Sequence, residues 1–268
     1  MVKTIGVISL KWGVGKTSSV VALGSSLANL GKKVLLVDAN FSSPNLGVHF
    51  NLIDPPITLH NVLERSSSVK DAIYKMKDNI DILPSSIFGR KISSPMKLRD
   101  KLRSVKNKYD VVIIDSSPAM NEETLASIVS SDELLVVATP DYPTLSTTIK
   151  AVKLAKSRGV PIVGLILNKV FGKDFELSIK DIEGVTGVPV MALIPHDINF
   201  LKSLSKFRSS VLEKPHATSS VEFKKLASVL VGEKYSAGKI FDMFNVWKKL
   251  VHPVQEVNRE VYYSSLFD

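Results

Sequence analysis

The feature that most restricts this chain is a recurrence of short, unbroken apolar runs rich in β-branched residues: TIGVIS, KVLLVD, IDILPS, DVVIID, ELLVVAT, PIVGLILN and VPVMALIP. A strand with one wet face alternates apolar and polar residues, whereas continuous runs of this length fit strands covered on both faces. Helical patterns lie between them, for instance over residues 16–30 with Gly31 as a stop and over 144–157 with a stop near Gly159. Such alternation predicts a doubly wound α/β fold: a mostly parallel sheet, helices on both faces and right-handed crossovers. A chain of 268 residues can bury that core as one domain.

Sheets of this kind bind ligands at the carboxyl ends of their strands. Asp38 closes KVLLVD, Asp115 closes DVVIID, Asn168 closes PIVGLILN, and His196 and Asp197 follow VPVMALIP. Any one of these could be a helix cap. Together with a G-K-T after the first strand they mark a site. In SLKWGVGKTS, residues 9–18, Gly13 and Gly15 permit a turn in which successive backbone amides converge on one anion. Lys16 then reaches β and γ phosphates, Thr17 offers its hydroxyl to Mg²⁺, and Asp115 holds the metal's water shell. The usual pattern G-x-x-x-x-G-K-[ST] is modified, because Leu10 stands where it would open with glycine, followed by Lys11 and Trp12.

KWGVGKTS resembles the deviant Walker A loop, K-G-G-x-G-K-[ST], of the MinD/ParA family of P-loop ATPases. VLLVDAN resembles that family's first switch, IIDSSPAMNEETLASI its Walker B and second switch, and LNKV and IPHD its nucleotide-base end. The resemblance covers roughly residues 1–232, and IDSSPA with TPDYPTLSTTIKAVKLA is closer to the MinD branch than to plasmid-type ParA proteins. It implies an ATPase domain over 1–232 that binds ATP and Mg²⁺, and a C-terminal helical extension over 233–268. Nucleotide contacts are then expected from Lys11, Trp12, Gly13, Val14, Gly15, Lys16, Thr17 and Ser18, with Asn168 on the adenine and Pro195, His196 and Asp197 flanking the base. Thr17, Asp38 and Asp115 would serve the metal. Lys11 becomes the signature lysine, which in an ATP-bound homodimer reaches the phosphates of the opposing subunit as an arginine finger does. Asp141 would lie near that interface.

Two positions depart from the family pattern. Trp12 replaces a glycine, and its indole is expected to lie outward, at a dimer or partner surface or over an apolar patch. The first switch normally reads D-x-D, its second aspartate positioning the attacking water; here it reads Asp38, Ala39, Asn40. An amide can orient a water but cannot take its proton. Losing a positioned base slows turnover by roughly 10²–10⁴-fold, so a slow ATPase is expected, with Lys11, Lys16, Asp38 and Asn40 as its catalytic set.

Charge and composition bear on partners. The formal net charge is +9, and residues 65–108 carry 12 Lys or Arg against four Asp. That surplus suits non-specific DNA, as in DNA-partitioning ParA proteins, or is the solvated face of an amphipathic helix over SPMKLRDKLRSVKNK. The segment KIFDMFNVWKKLV, within 239–251, places apolar and aromatic residues on one helical face, fitting either a membrane-lying helix or a docked one. There is no cysteine, which excludes disulfides, thiolate-held iron–sulfur clusters and a cysteine nucleophile. No apolar run reaches the ~18 residues of a membrane span, and the opening MVKTIGVISL lacks a signal-peptide cleavage pattern. The expected location is the cytoplasm, with peripheral attachment at the inner face of the membrane as a further expectation. A small-molecule kinase would share the loop, but no acceptor pocket or lid is legible.

Overall fold

The computed structural model describes residues 2–64 and 66–235. The apolar runs become strands and the segments between them helices. β1 (Lys3–Ile8) turns through the glycine-rich loop into α1 (Lys16–Asn29), and β2 (Val34–Ala39) follows. Shorter pieces come next: a 3-10 turn at Gly47–Phe50, α2 (Leu59–Leu63), β3 (Tyr74–Lys75), β4 (Ile80–Leu83) and α3 (Leu98–Arg103). Regular alternation then resumes with β5 (Val111–Ser116), α4 (Glu122–Val129), β6 (Glu133–Ala138), α5 (Tyr142–Ser157), β7 (Ile162–Val170), α6 (Ile179–Thr186) and β8 (Val190–Pro195). α7 (Asn199–Leu204), α8 (Ser210–Glu213) and α9 (Thr218–Leu230) close the described chain.

The eight strands form one sheet in the order β3-β4-β2-β5-β1-β6-β7-β8. Every pairing is parallel except that of β3 with β4 at the edge. β1 therefore lies between β5 and β6, so the loop leaving it is flanked by the carboxyl ends of both neighbours. The pleat sends Ile5, Val7, Leu36 and Ile113 to one face, where α1 packs over them and α9, lying against α1, covers β8. Leu35, Val37, Val112 and Ile114 face the other side, under α2 and α3, and Ile8, Leu134 and Val136 continue that face under α5 and α6. This two-sided burial is the reason the strand runs show no polar alternation.

Helix stops also behave as their residues require. Gly31 and Gly159 follow α1 and α5 in the left-handed conformation, at φ +77° and +67°. Two details differ from the sequence expectation. β3 has only two residues and no apolar run of its own, being formed by pairing on β4. The helix expected over residues 94–108 is broken into a 3-10 turn at Pro95–Lys97, α3, and a 3-10 turn at Lys106–Lys108. Ser104 Oγ bonds back to the Lys101 carbonyl at 2.8 Å and Val105 N–H donates to Leu102, tightening the chain at the break. The amphipathic logic survives, with Leu98, Leu102 and Val105 buried and Arg99, Arg103 and Lys108 exposed. The amphipathic segment 239–251 lies outside the described residues, as does all of the extension beyond 235.

Candidate functional site

The loop after β1 is shaped by two left-handed glycines, Gly13 at φ +75° and Gly15 at φ +90°. A Cβ on Gly15 would lie 2.2 Å from Asn168 Nδ2, so loop and strand end are packed directly together. Asn168 Nδ2 donates to the Val14 carbonyl at 2.7 Å, and Lys169 Nζ to the Gly13 carbonyl at 2.6 Å. These bonds turn loop carbonyls toward β7. At the start of α1 no side chain caps the free amides, which is the arrangement an anion completes.

Lys16, only 6% exposed, places Nζ 2.5 Å from Asp115 Oδ1, and Thr17 Oγ1 donates to Asp115 Oδ2 at 2.6 Å. Strand register sets Asp38 beside Asp115. The Asp38 carboxylate is fully buried and accepts the backbone N–H groups of Asn40, Asn45 and Leu46 at 3.2, 3.2 and 3.0 Å. Burial, and then the negative charge of Asp115, push its pKa up to about 8 against the pull of the Leu46 and Asn40 amides and of Lys16. Of the three expected metal residues, Thr17 and Asp115 are in contact, while Asp38 lies beside Asp115 and spends its oxygens on the backbone amides of the segment that follows β2.

Asn40 is 3% exposed. Its amide Nδ2 donates to the Ser43 carbonyl at 2.5 Å, and its Oδ1 is buried without a partner. Next to it, the amide and hydroxyl of Ser42 both donate to Glu123 on α4, joining the first switch to the second. Lys11 extends along the rim, where Nζ lies 3.1 Å from Asp141 Oδ1 and 2.5 Å from Thr144 Oγ1. Asp141 is the N-cap of α5 and accepts the Thr144 N–H at 2.8 Å. Burial works to raise its pKa, yet hydrogen bonds from Thr139, Thr144 and Lys11 outweigh it and bring the value down to about 2.

Two clefts flank the loop. One, of about 260 Å³, lies between residues 11–18 and a wall of Asn40, Asn45, Val48 and His49, closed by Pro118 and Leu204. It contains Ser18 and the whole expected phosphate-binding set. The second, of about 310 Å³, lies on the Lys169 side and is walled by Trp12, Pro140, Asp141, Phe171 and Phe175. Trp12 is 59% exposed, as its expected outward placement requires.

The base-end residues are less directly assembled. Pro195 pairs with Val170 at the end of β8, and His196 stacks on Phe171 with centroids 4.7 Å apart. Asp197 accepts from the backbone and side-chain amides of Asn199 at 2.8 and 2.7 Å and from Ser219 at 2.5 Å, so its oxygens are spent holding α7 and α9. His49, Glu123 and Lys169 also belong to the neighbourhood, although nothing in the sequence singled them out. Glu123 sits within the second-switch segment and Lys169 follows Asn168, whereas His49 has no local signal at all.

The donor set fits a magnesium nucleotide. No group of three or more His, Cys, Asp or Glu gathers as a metal site among the described residues, and Mg²⁺ in such loops needs none, taking a hydroxyl, waters and phosphate oxygens. Thr17 and Asp115, already joined, are the residues that would hold it.

A family model described as an AAA domain matches residues 2–158, more than half of the chain. An ATP-binding protein of Methanocaldococcus jannaschii is 36% identical over 231 residues, which span 85% of this chain and 88% of its own. Two solved structures superpose with a TM-score of 0.81: the septum site-determining protein MinD of Pyrococcus horikoshii with Mg-ADP, at 30% identity over 86% of this chain and 96% of that one, and the cell division ATPase MinD of Pyrococcus furiosus, at 32% over 85% and 98%. Motif, sheet order and relatives agree, and the chain belongs to the MinD/ParA family of P-loop ATPases.

Proposed function

We propose that this protein is an ATP-controlled switch of the MinD type, which dimerises around MgATP, hydrolyses it slowly and serves spatial organisation inside the cell. The Mg-ADP held by the Pyrococcus horikoshii relative supports the same ligand here. Lys11 carries the proposal. Its charge is met at the cleft rim by Asp141 and Thr144 of its own subunit, so it is available to exchange those partners for the phosphates of a second subunit. Light scattering should find monomers without nucleotide or with ADP and dimers with MgATP, and Lys16→Ala or Lys11→Ala should remain monomeric. A wild-type monomer at saturating MgATP would overturn the proposal.

Slow turnover follows from Asn40, whose amide is tied to Ser43 and offers no negative charge to a water. Asn40→Asp should raise turnover by roughly 10²–10⁴-fold while leaving ATP affinity unchanged. Turnover already at the level of relatives with the aspartate would contradict this.

Residues 1–232 are proposed as the ATPase domain and 233–268 as an extension through which the dimer meets a membrane surface at the cytoplasmic face. No helix among the described residues is long and apolar enough to cross a membrane. Two weak anchors on one dimer bind much more tightly than one, so liposome co-sedimentation should depend on MgATP, survive salt and vanish in a chain ending at Gly238. A second surface favours a DNA-partitioning role: Arg90, Lys91, Arg99, Arg103 and Lys108 are all exposed. Binding to DNA that falls steeply with salt would support that role in place of the membrane.

A further inference from the structure

The wall of the phosphate cleft opposite the loop is set by Asp38. Its carboxylate takes the N–H groups of Asn45 and Leu46, folding the chain back, and the 3-10 turn Gly47–Phe50 follows. His49 N–H donates to Leu46 and Leu52 N–H to Gly47, fixing that turn at both ends. The turn brings Val48 and His49 to the cleft.

The side chains that line this cleft differ sharply in chemistry. Lys11 and Lys16 are cationic; Thr17, Ser18, Asn40 and Asn45 are neutral and do not titrate near neutral pH. Asp38 and Asp115 are fully buried, their oxygens engaged, and neither is among the residues lining the cleft. Among the described lining residues, His49 alone can take a proton from water near neutral pH. Burial lowers its pKa from the ordinary 6.5, with Asp115 opposing, which favours the neutral, proton-accepting ring.

We propose that His49 is the group that orients the attacking water and accepts its proton during ATP hydrolysis, taking the part that Asn40 cannot play. The water oxygen bonds to the γ-phosphorus as the bond from that phosphorus to the β–γ bridging oxygen breaks, its electron pair leaving with ADP. The water's proton passes to an imidazole nitrogen and from there to the released phosphate or to solvent. Phosphoryl transfer asks more for position than for proton removal, so a partly exposed ring on a fixed turn suffices for a slow enzyme. The inference rests on the ATPase reading above, though not on dimerisation or on the surface the protein binds.

Four proteins test it: wild type, His49→Ala, Asn40→Asp and the double variant, each assayed for phosphate release from MgATP and for affinity toward a fluorescent ATP analogue. His49→Ala should lower turnover by roughly 10²-fold with affinity unchanged. In the Asn40→Asp background, where an aspartate takes over, the same substitution should have little effect. Wild-type turnover in His49→Ala, an equal loss in both backgrounds, or a parallel loss of affinity would each overturn the proposal. If Asn40→Asp fails to raise turnover while His49→Ala abolishes it, the role of His49 stands and the account of slow turnover through Asn40 falls.

Discussion

Gly15 carries two constraints at once, a left-handed backbone and the amide of Asn168 2.2 Å from where a Cβ would sit. Gly15→Ala should therefore lower stability by about 1–2 kcal/mol from backbone strain and, by displacing Asn168, weaken ATP binding as well. Denaturation and nucleotide titration would check both, and an unchanged binding constant would argue against the Asn168 contact. The paired carboxylates make a pH prediction. Asp38 keeps its proton up to about pH 8, whereas an unfolded aspartate releases it near 3.8. The folded chain thus binds more protons across that window, so this group's contribution to stability falls as pH rises through it. Mg²⁺ at Asp115 would relieve the repulsion. Thermal unfolding of the nucleotide-free protein should show a steeper decline across that window than the MgATP complex; parallel curves would contradict the assignment.

At the scale of elements, α5 links structure to switching. Asp141 caps it and also holds Lys11. Asp141→Ala should cost about 1 kcal/mol through the lost cap, yet leave Lys11 only its Thr144 partner, so that MgATP drives dimerisation at lower protein concentration; light scattering over a dilution series would show it. On the opposite face, α9 anchors the domain through Phe223, which is fully buried and meets Phe200 edge-on at 5.9 Å. Phe223→Ala should destabilise by about 3–5 kcal/mol in chemical denaturation. α1 and α5 were legible because glycine stops and apolar spacing are local properties. The break at Ser104 was not, since it depends on a side chain bonding back onto its own helix.

At the scale of the whole molecule, Trp12 stands next to Lys11 on the exposed rim of the second cleft. A dimer that brings Lys11 to another subunit must bring Trp12 to the interface. The chain has two tryptophans, so in a Trp247→Phe background Trp12 is the sole reporter. Iodide quenching of its emission should fall when MgATP forms the dimer, and undiminished quenching in a dimer would show that the indole lies elsewhere.

Much of the site is local in sequence and so was readable there. Lys16 and Thr17 are adjacent, and Asp115 ends an apolar strand that this fold class places beside the loop. The unbroken apolar runs pointed to strands covered on both faces, and their alternation with helical segments pointed to a mostly parallel sheet with helices on each side. Tertiary structure alone decided which groups meet across distance: Lys11 with Asp141, 130 residues apart, Ser42 with Glu123, 81 apart, and His49 with the phosphate cleft. Those meetings depend on strand order and on one carboxylate, Asp38, taking backbone amides several residues later. Hydrogen bonds of that kind leave no periodicity to read.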